Sequence, residues 1–248
     1  MRFDVITLFP ELFAPLLVGG ITRRAFESGQ VDVQFANPRD FAHGNYRRID
    51  DRPFGGGPGM VMMAEPLTRC LEHVNAARSG SAPVVLFSPS GTPLNHAMVQ
   101  RWAEGDGAIL VCGRYEGIDQ RFVDAHVDEQ ISLGDFVLSG GEIAAMALLD
   151  AVARLQPGVL GDEMSHMQDS FNPALDGLLD CPHYTRPELW NGMPVPDVLM
   201  SGHHANIERW RRDQRLLLTL RHRPDLIRQA RASGRLDAHD ETCLSSGT

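Results

Sequence analysis

Three stretches of this chain place small, polar and glycine-bearing turns directly after apolar runs. Pro83-Val-Val-Leu-Phe87 ends in Ser88-Pro-Ser-Gly91, and Ala108-Ile-Leu-Val-Cys112 ends in Gly113-Arg-Tyr-Glu-Gly-Ile-Asp119. Asp128 to Leu133 runs into Gly134-Asp-Phe-Val-Leu-Ser-Gly-Gly-Glu142. Such turns can present backbone N–H and C=O groups to a small ligand, because glycine lets the main chain come close. Side chains able to act as acid, base or metal ligand are less telling when read alone. Arg154 closes an apolar helical run and reads as a long side chain reaching solvent. Asp169-Ser-Phe171 sets an acid beside an aromatic in an irregular segment and reads as a solvated carboxylate. Cys181-Pro-His183 with His203-His204 is a loose metal-ligand pattern that lacks the tight, repeated spacing of structural zinc sites.

The elements that must position these turns follow a rhythm. Met1 to Phe9 is β-like and closed by Phe9-Pro10, a helical stretch follows, and Gln30 to Phe35 alternates as a half-buried strand does. Each of the three apolar runs is then succeeded by a helix: Asn95 to Ala103, a short one to about His126, and Gly140 to Leu155. Strands alternating with helices predict a parallel sheet covered on both faces. Ligands of such sheets bind outside the carboxyl ends of the strands, where all three turns fall. The last helix begins with a capping-box spelling, Ser139-Gly-Gly-Glu142, and is apolar almost all round, so it is expected in a core or against a partner subunit. Asn37 to Met63 reads as loop, with Arg39, Arg47, Arg48 and Arg52 ahead of Phe54-Gly-Gly-Gly-Pro-Gly-Met60. Those glycines suit a close backbone approach to a ligand or a moving lid. The segment lacks the Gly-Lys-Ser/Thr ending of a phosphate-binding P-loop, and no GxGxxG fingerprint follows a strand.

Composition sets the bounds. At 248 residues, 43% hydrophobic and 22% charged, the chain has room for one large domain or two small ones. No apolar run approaches the ~20 residues of a membrane span, and the opening Met1-Arg-Phe-Asp-Val-Ile predicts a strand instead of a signal peptide, so a cytoplasmic protein is expected. The four cysteines form no CxxC pair and signal neither a zinc site nor a disulfide framework. Net charge is −9, yet every basic residue other than histidine is Arg, and seven Arg face three acids between Ser201 and Arg228. A helix from Asn206 to about Leu220 is expected to carry Ile207, Trp210, Leu217 and Leu218 on one face and Arg209, Arg212 and Arg215 on the other, either as a solvated face or as a contact to nucleic acid. The predicted organisation is an α/β domain over residues 1–160, a linker over 161–172, and a small helical domain over 173–248.

Several long motifs, in order, resemble the bacterial tRNA (guanine-N1)-methyltransferases of the SPOUT class. They are Asp50-Asp-Arg-Pro-Phe-Gly-Gly-Gly-Pro-Gly-Met60, Val111 to Asp119, Ser132 to Glu142, Arg154-Leu-Gln-Pro-Gly-Val-Leu-Gly161, Asp169-Ser-Phe171 and Pro182-His-Tyr-Thr-Arg-Pro187. The resemblance implies an α/β domain with a deep trefoil knot in its parallel sheet, a topology that periodicity does not predict. It implies S-adenosylmethionine bound by Ser88, Pro89, Gly113, Tyr115, Glu116, Gly117, Ser132, Leu133, Gly134, Asp135, Phe136, Val137 and Leu138, with Gly140 and Gly141 close by, and Glu116 facing the methionine end. It also implies a homodimer with active sites at the interface, and as substrate a tRNA bearing guanosines at positions 36 and 37, methylated on N1 of guanosine 37.

By the same resemblance Asp169 is the general base that removes the N1 proton, and Arg154 stabilises the charge that develops on O6. The family's activity is linked to Mg2+, but the sequence offers no dedicated cage, so no metal ligand is assigned. Departures from the family pattern are small: Phe136 in place of a common Tyr, Leu133 in place of Ile, and His96 in place of Gln. Rival readings are a ribose 2′-O-methyltransferase of the same class, a module that binds cofactor and RNA without catalysis, and nucleotide hydrolysis on the Gly55 to Gly59 loop, which the absence of Lys disfavours.

Overall fold

The computed structural model describes residues 1–161 and 165–246. The chain divides into two compact units, Met1–Gly161 and Asp162–Thr248. The first unit runs β1 (Arg2–Ile6), α1 (Ala14–Val18), α2 (Arg23–Glu27), β2 (Asp32–Ala36), β3 (Asp50–Asp51), β4 (Val61–Met62) and α3 (Ala64–Ala76). It continues with β5 (Val84–Pro93), α4 (His96–Ala103), β6 (Gly107–Val111), α5 (Gln120–His126), β7 (Glu129–Ser132) and α6 (Glu142–Arg154). Five of these strands form an entirely parallel sheet in the order β2-β1-β6-β5-β7. The short β3 and β4 pair antiparallel on their own.

The apolar runs are continuous because both faces of the sheet are covered. Phe3, Val5, Val85, Phe87, Ala108 and Leu110 join one core with Val99 and Trp102 of α4 and Ala144, Leu148, Leu149 and Val152 of α6. Their neighbours Ile6, Val84, Leu86, Ile109 and Val111 join a second core with Leu67, Leu71 and Val74 of α3 and Phe122 of α5. One acid sits in β1: Asp4 is 3% exposed and carries ion pairs to Arg2 at 2.7 Å and to Arg78. The helical runs expected around α4, α5 and α6 form as helices, but the capping box does not. Gly141 is the N-cap of α6 and offers no side-chain cap, while Glu142, in the first turn, is buried and bound elsewhere.

In the second unit, residues Ser165–Gln168, inside the expected linker, form a 3-10 turn, so that part of it has its own structure, and Pro173–Leu175 form another at the start of the expected helical domain. A hairpin of β8 (Leu189–Trp190) and β9 (Met193–Pro194) precedes α7 (Asp197–Met200), α8 (His204–His222), α9 (Pro224–Ala232) and α10 (Ala238–Ser246). Leu178, Leu216, Ile227, Ala230 and Leu244 make a small core. Among the described residues no helix is long and apolar enough to cross a membrane.

The arginine face expected on α8 is not a free cationic surface. Asp240 is 1% exposed and holds Arg209 at 3.0 Å and Arg212 at 2.8 Å; Arg212 also reaches Asp176 at 2.6 Å, and Arg215, itself buried, reaches Asp180 at 3.3 Å. Arg209 further pairs with Asp213 one helical turn on. The partners other than Asp213 come from outside α8, which is why the helix read alone suggested a solvated or RNA-facing stripe.

Burial pushes the Asp240 carboxyl up, but hydrogen bonds from Arg212, the Asp237 backbone N–H and Arg209 outweigh it and hold the group below the usual range. A depressed folded value means that the contribution is complete above the ordinary Asp value of about 3.9 and is lost as pH falls through the folded value. Asp240→Asn is therefore expected to destabilise the protein by about 3 kcal/mol at neutral pH, through two guanidinium groups left without their buried anion. Urea titrations at pH 7 and across the acid limb check this, the variant losing less further stability than the wild type as the pH falls below about 4.

Candidate active site

The Ser88–Gly91 segment within β5 and the turns at the carboxyl ends of β6 and β7 meet around one cavity of about 330 Å³, within the size range of small-molecule sites. Its wall includes Ser88, Pro89, Gly113, Tyr115, Glu116, Gly117, Ser132, Leu133, Phe136, Val137, Leu138, Gly140 and Gly141. Two residues named from the sequence stand differently. Gly134 and Asp135 do not line the cavity: Gly134 is tied back by its N–H to the Ser132 hydroxyl at 3.1 Å, and Asp135 is exposed.

The local geometry explains the spelling of each turn. Ser88 to Gly91 does not end β5 but bulges out of it, and the strand resumes with Thr92 opposite Ile131 and Pro93 opposite Ser132. A Cβ on Gly91 would lie 2.5 Å from the backbone N of Ile131, so the bulge can cross β7 only with glycine there. The Ser88 and Ser90 hydroxyls are 2.8 Å apart, and Ser90 donates to the Gln130 side chain at 3.1 Å. Residues 140–141 then pass directly over the end of β6. A Cβ on Gly141 would lie 2.8 Å from Cys112 Cα, and one on Gly140 would lie 2.3 Å from Arg114 Nε.

A buried charge holds that passage. Glu142, 1% exposed, accepts from the Thr7 hydroxyl at 2.8 Å and from Arg114 Nε at 3.1 Å, with a second Arg114 nitrogen 2.9 Å from its other oxygen. Arg114 also donates to the Ser139 carbonyl at 3.3 Å, and its guanidinium lies 4.4 Å from the Phe9 ring centroid. Neither Thr7 nor Arg114 was singled out from the sequence, nor was a charge partner for Glu142. The signal was an acid opening an otherwise apolar helix with an arginine between the motif glycines. Burial pushes the Cys112 thiol well above its usual value, so the residue behind the wall is an apolar packing group and not a thiolate.

The Gly113 to Asp119 loop is braced from outside by the glycine-rich segment. Glu116 N–H donates to the Met60 carbonyl at 3.0 Å, Met62 N–H to Gly117 at 2.9 Å, and Asp119 N–H to Met62 at 2.9 Å. Arg154 ends α6, half-buried, and does not line the cavity. Asp169 belongs to the second unit. Its turn is held by Asn172, which is buried, donates to the His166 carbonyl at 2.9 Å and caps the following 3-10 turn through Ala174 N–H. Among the described residues Asp180, Cys181 and His183 bring possible ligand atoms within 4.8 Å of one another, and His203 and His204 take no part. Asp180 already spans His183 at 2.8 Å and Arg215 at 3.3 Å, and burial raises the Cys181 thiol, so the group works as a structural knot of the second unit.

Fold and cavity together define the class: a parallel α/β protein with a backbone-rich site at the carboxyl edge of its sheet. The family follows from comparison. A family model described as tRNA (Guanine-1)-methyltransferase TrmD matches residues 1–229. A tRNA (guanine-N(1)-)-methyltransferase of Albidiferax ferrireducens is 76% identical over 99% of this chain and 99% of its own. Those of Polaromonas sp. and Paracidovorax citrulli are each 71% identical over 99% of this chain, and over 96% and 98% of theirs. The chain belongs to the tRNA (guanine-N1)-methyltransferase family.

The close passage at Gly141 gives a steric prediction. Gly141→Ala must displace the backbone at Cys112 and Gly113 and is expected to lower stability by about 1–3 kcal/mol, whereas Gly80→Ala, with nothing within 4 Å, leaves it unchanged. Thermal unfolding of the two variants beside the wild type measures the difference.

Proposed function

We propose that the protein transfers a methyl group from S-adenosylmethionine to N1 of guanosine 37 in tRNA whose position 36 is also guanosine, with Asp169 as general base and Arg154 stabilising charge on O6. The observation that carries the reading is the cavity formed by the β5 bulge and the turns after β6 and β7 in a chain of this family. In this reading residues 1–160 hold the cofactor, 161–172 connect, and 173–248 contact tRNA. Residues 162–164 of that connection lie outside the described residues.

The cavity suits the methyl donor. Leu86, Ile118, Leu133 and Leu138 supply apolar wall for a purine, and the turn backbones supply donors and acceptors for its edge and ribose. The Glu116 carboxylate supplies the countercharge for the ammonium of the methionine end. Passage of residues 139–141 over Cys112 and Gly113 is what supports a knotted chain path here. When bound, S-adenosylmethionine supplies an electrophilic methyl on a sulfonium that departs as a neutral thioether.

Guanine N1 carries a proton, so its electron pair is free to bond the methyl carbon only as that proton leaves. Asp169 accepts it within hydrogen-bond reach of a flipped-out base. Electron density moves onto O6, where the Arg154 guanidinium offers a charged donor. Products are the 1-methylguanosine in tRNA, S-adenosylhomocysteine and a protonated Asp169, which returns its proton to water. The cavity wall offers a single carboxylate, Glu116, and no set of donors for a metal cage, so no ligand is assigned to Mg2+.

Exposed Leu12, Val18, Ile21 and Ile143 leave apolar surface near the α1 and α6 faces, which supports a homodimer with the site completed at its interface; a cytoplasmic location belongs to the same reading of the chain as a tRNA-modifying enzyme. Contact of the second unit with tRNA falls to exposed cations such as Arg221 and Arg228 instead of the bound face of α8.

Labelled methyl transfer to an unmodified transcript with guanosines at 36 and 37, followed by nucleoside mapping, tests the proposal. The expected product is 1-methylguanosine. Asp169→Ala is expected to remove turnover while calorimetric binding of S-adenosylmethionine stays at the wild-type value, and Arg154→Ala to lower kcat by roughly 10²–10³-fold. A ribose-methylated nucleoside would assign a 2′-O-methyltransferase, and binding of both ligands without transfer would assign a binding module.

A further inference from the structure

On either side of β3 runs an arm whose aromatic side chains nothing in its unit covers. Tyr46 is 90% exposed and Phe54 fully exposed, beside Arg47, Arg48 and Arg52, all of them exposed. The base of the arm is rigid. Ile49 and Met62 are 1% exposed, Asp50 and Asp51 pair with Met62 and Val61, and Met63 N–H donates to the Ile49 carbonyl at 2.8 Å. Through Met60 and Met62 that base is hydrogen-bonded to Glu116, Gly117 and Asp119, so it is seated on the cavity wall itself. A rigid seat beside a reaction site with an aromatic and cationic tip is an arrangement that packing within the unit does not explain.

We propose that the arm from Tyr46 to Gly57 binds an unstacked stretch of the RNA substrate next to the cavity, with Phe54 and Tyr46 against base faces and Arg52 against a phosphate. The inference rests on the methyltransferase reading and adds the residues that hold the strand around the target base. Single-stranded RNA is recognised by aromatic faces for its bases and by arginine for its backbone. Each aromatic here has arginine close in sequence, in Tyr46-Arg47-Arg48 and Arg52-Pro53-Phe54. The pairs Arg47–Asp40 and Arg48–Asp51 are open to solvent on both sides, so exchanging a carboxylate for a phosphate costs little, and Arg52 makes no ion pair among the described residues. A second copy of the chain would cover the aromatics without needing these cations, which is why RNA is the better occupant.

The test is a Tyr46→Ala, Phe54→Ala double variant of the full chain, with tRNA affinity measured by anisotropy, oligomeric state by sedimentation, S-adenosylmethionine affinity by calorimetry, and Tm. The tRNA Kd is expected to rise by at least roughly fivefold, with cofactor affinity, sedimentation and Tm unchanged because both side chains are exposed. Phe54→Tyr is expected to retain affinity and Phe54→Leu to lose it, separating ring stacking from apolar contact. Arg52→Ala is expected to reduce the slope of log K against log salt by about 0.7. An unchanged tRNA Kd in the double variant overturns the proposal, and so does loss of self-association in the absence of RNA, which would make a second copy the occupant. These binding readouts need no turnover, so a wild-type protein that binds tRNA but fails to methylate guanosine 37 would sink the reaction assignment and leave the arm still decided by its own Kd.

Discussion

The arrangement of the first unit depends on a buried anion, Glu142, held by Arg114 and the Thr7 hydroxyl. An ionised carboxylate without partners inside a protein is costly, so the three groups must converge or none can be buried. Their convergence ties the end of β1, the turn after β6 and the start of α6 to one point. Residues 139–141 then have a single path, across Cys112 and Gly113, and that path needs two glycines. The cavity is the space left beside this clasp.

The same economy appears in the second unit with more charges and less apolar core. An apolar cluster as small as that of Leu178, Leu216, Ile227, Ala230 and Leu244 would hold an assembly of four helices only weakly. Asp240, Asp176 and Asp180 instead bind the arginines of α8 and thereby fix where α10, the 3-10 turn at Pro173 and the Asp180 segment meet that helix. The unit that carries Asp169 thus owes its form largely to ion pairs. Arg209, Arg212 and Arg215 of α8 are structural, and the exposed cations left for a polyanion lie at the end of that helix, at Arg221, elsewhere on the unit's surface, or on the arm of the first unit.

Much was legible from residue order alone. A strand buried on both faces has to be apolar throughout, so β5, β6 and β7 announce themselves, and the turns that follow them are spelled with the small residues that a close backbone requires. Thirteen of the fifteen residues assigned to cofactor binding line the same cavity for that reason. The capping box failed because the Glu142 side chain had a partner 28 residues earlier, and local spelling carries no knowledge of that partner. The end of β5 was misplaced because a bulge looks like a turn until the strand is seen to resume.

By itself the sequence determined the periodicities, the parallel α/β class, the glycine-bearing loops and the family, since these depend on residues near one another in the chain. Only the tertiary structure decided which arginines are bound and which stand open. Arg209, Arg212 and Arg215 have the spacing of an exposed cationic stripe, and Arg114 looks like one more polar residue in a loop. The physical reason is that a charge is defined by what neutralises it, and Asp240, Asp176, Asp180 and Glu142 reach those guanidinium groups across 28 to 36 residues of chain.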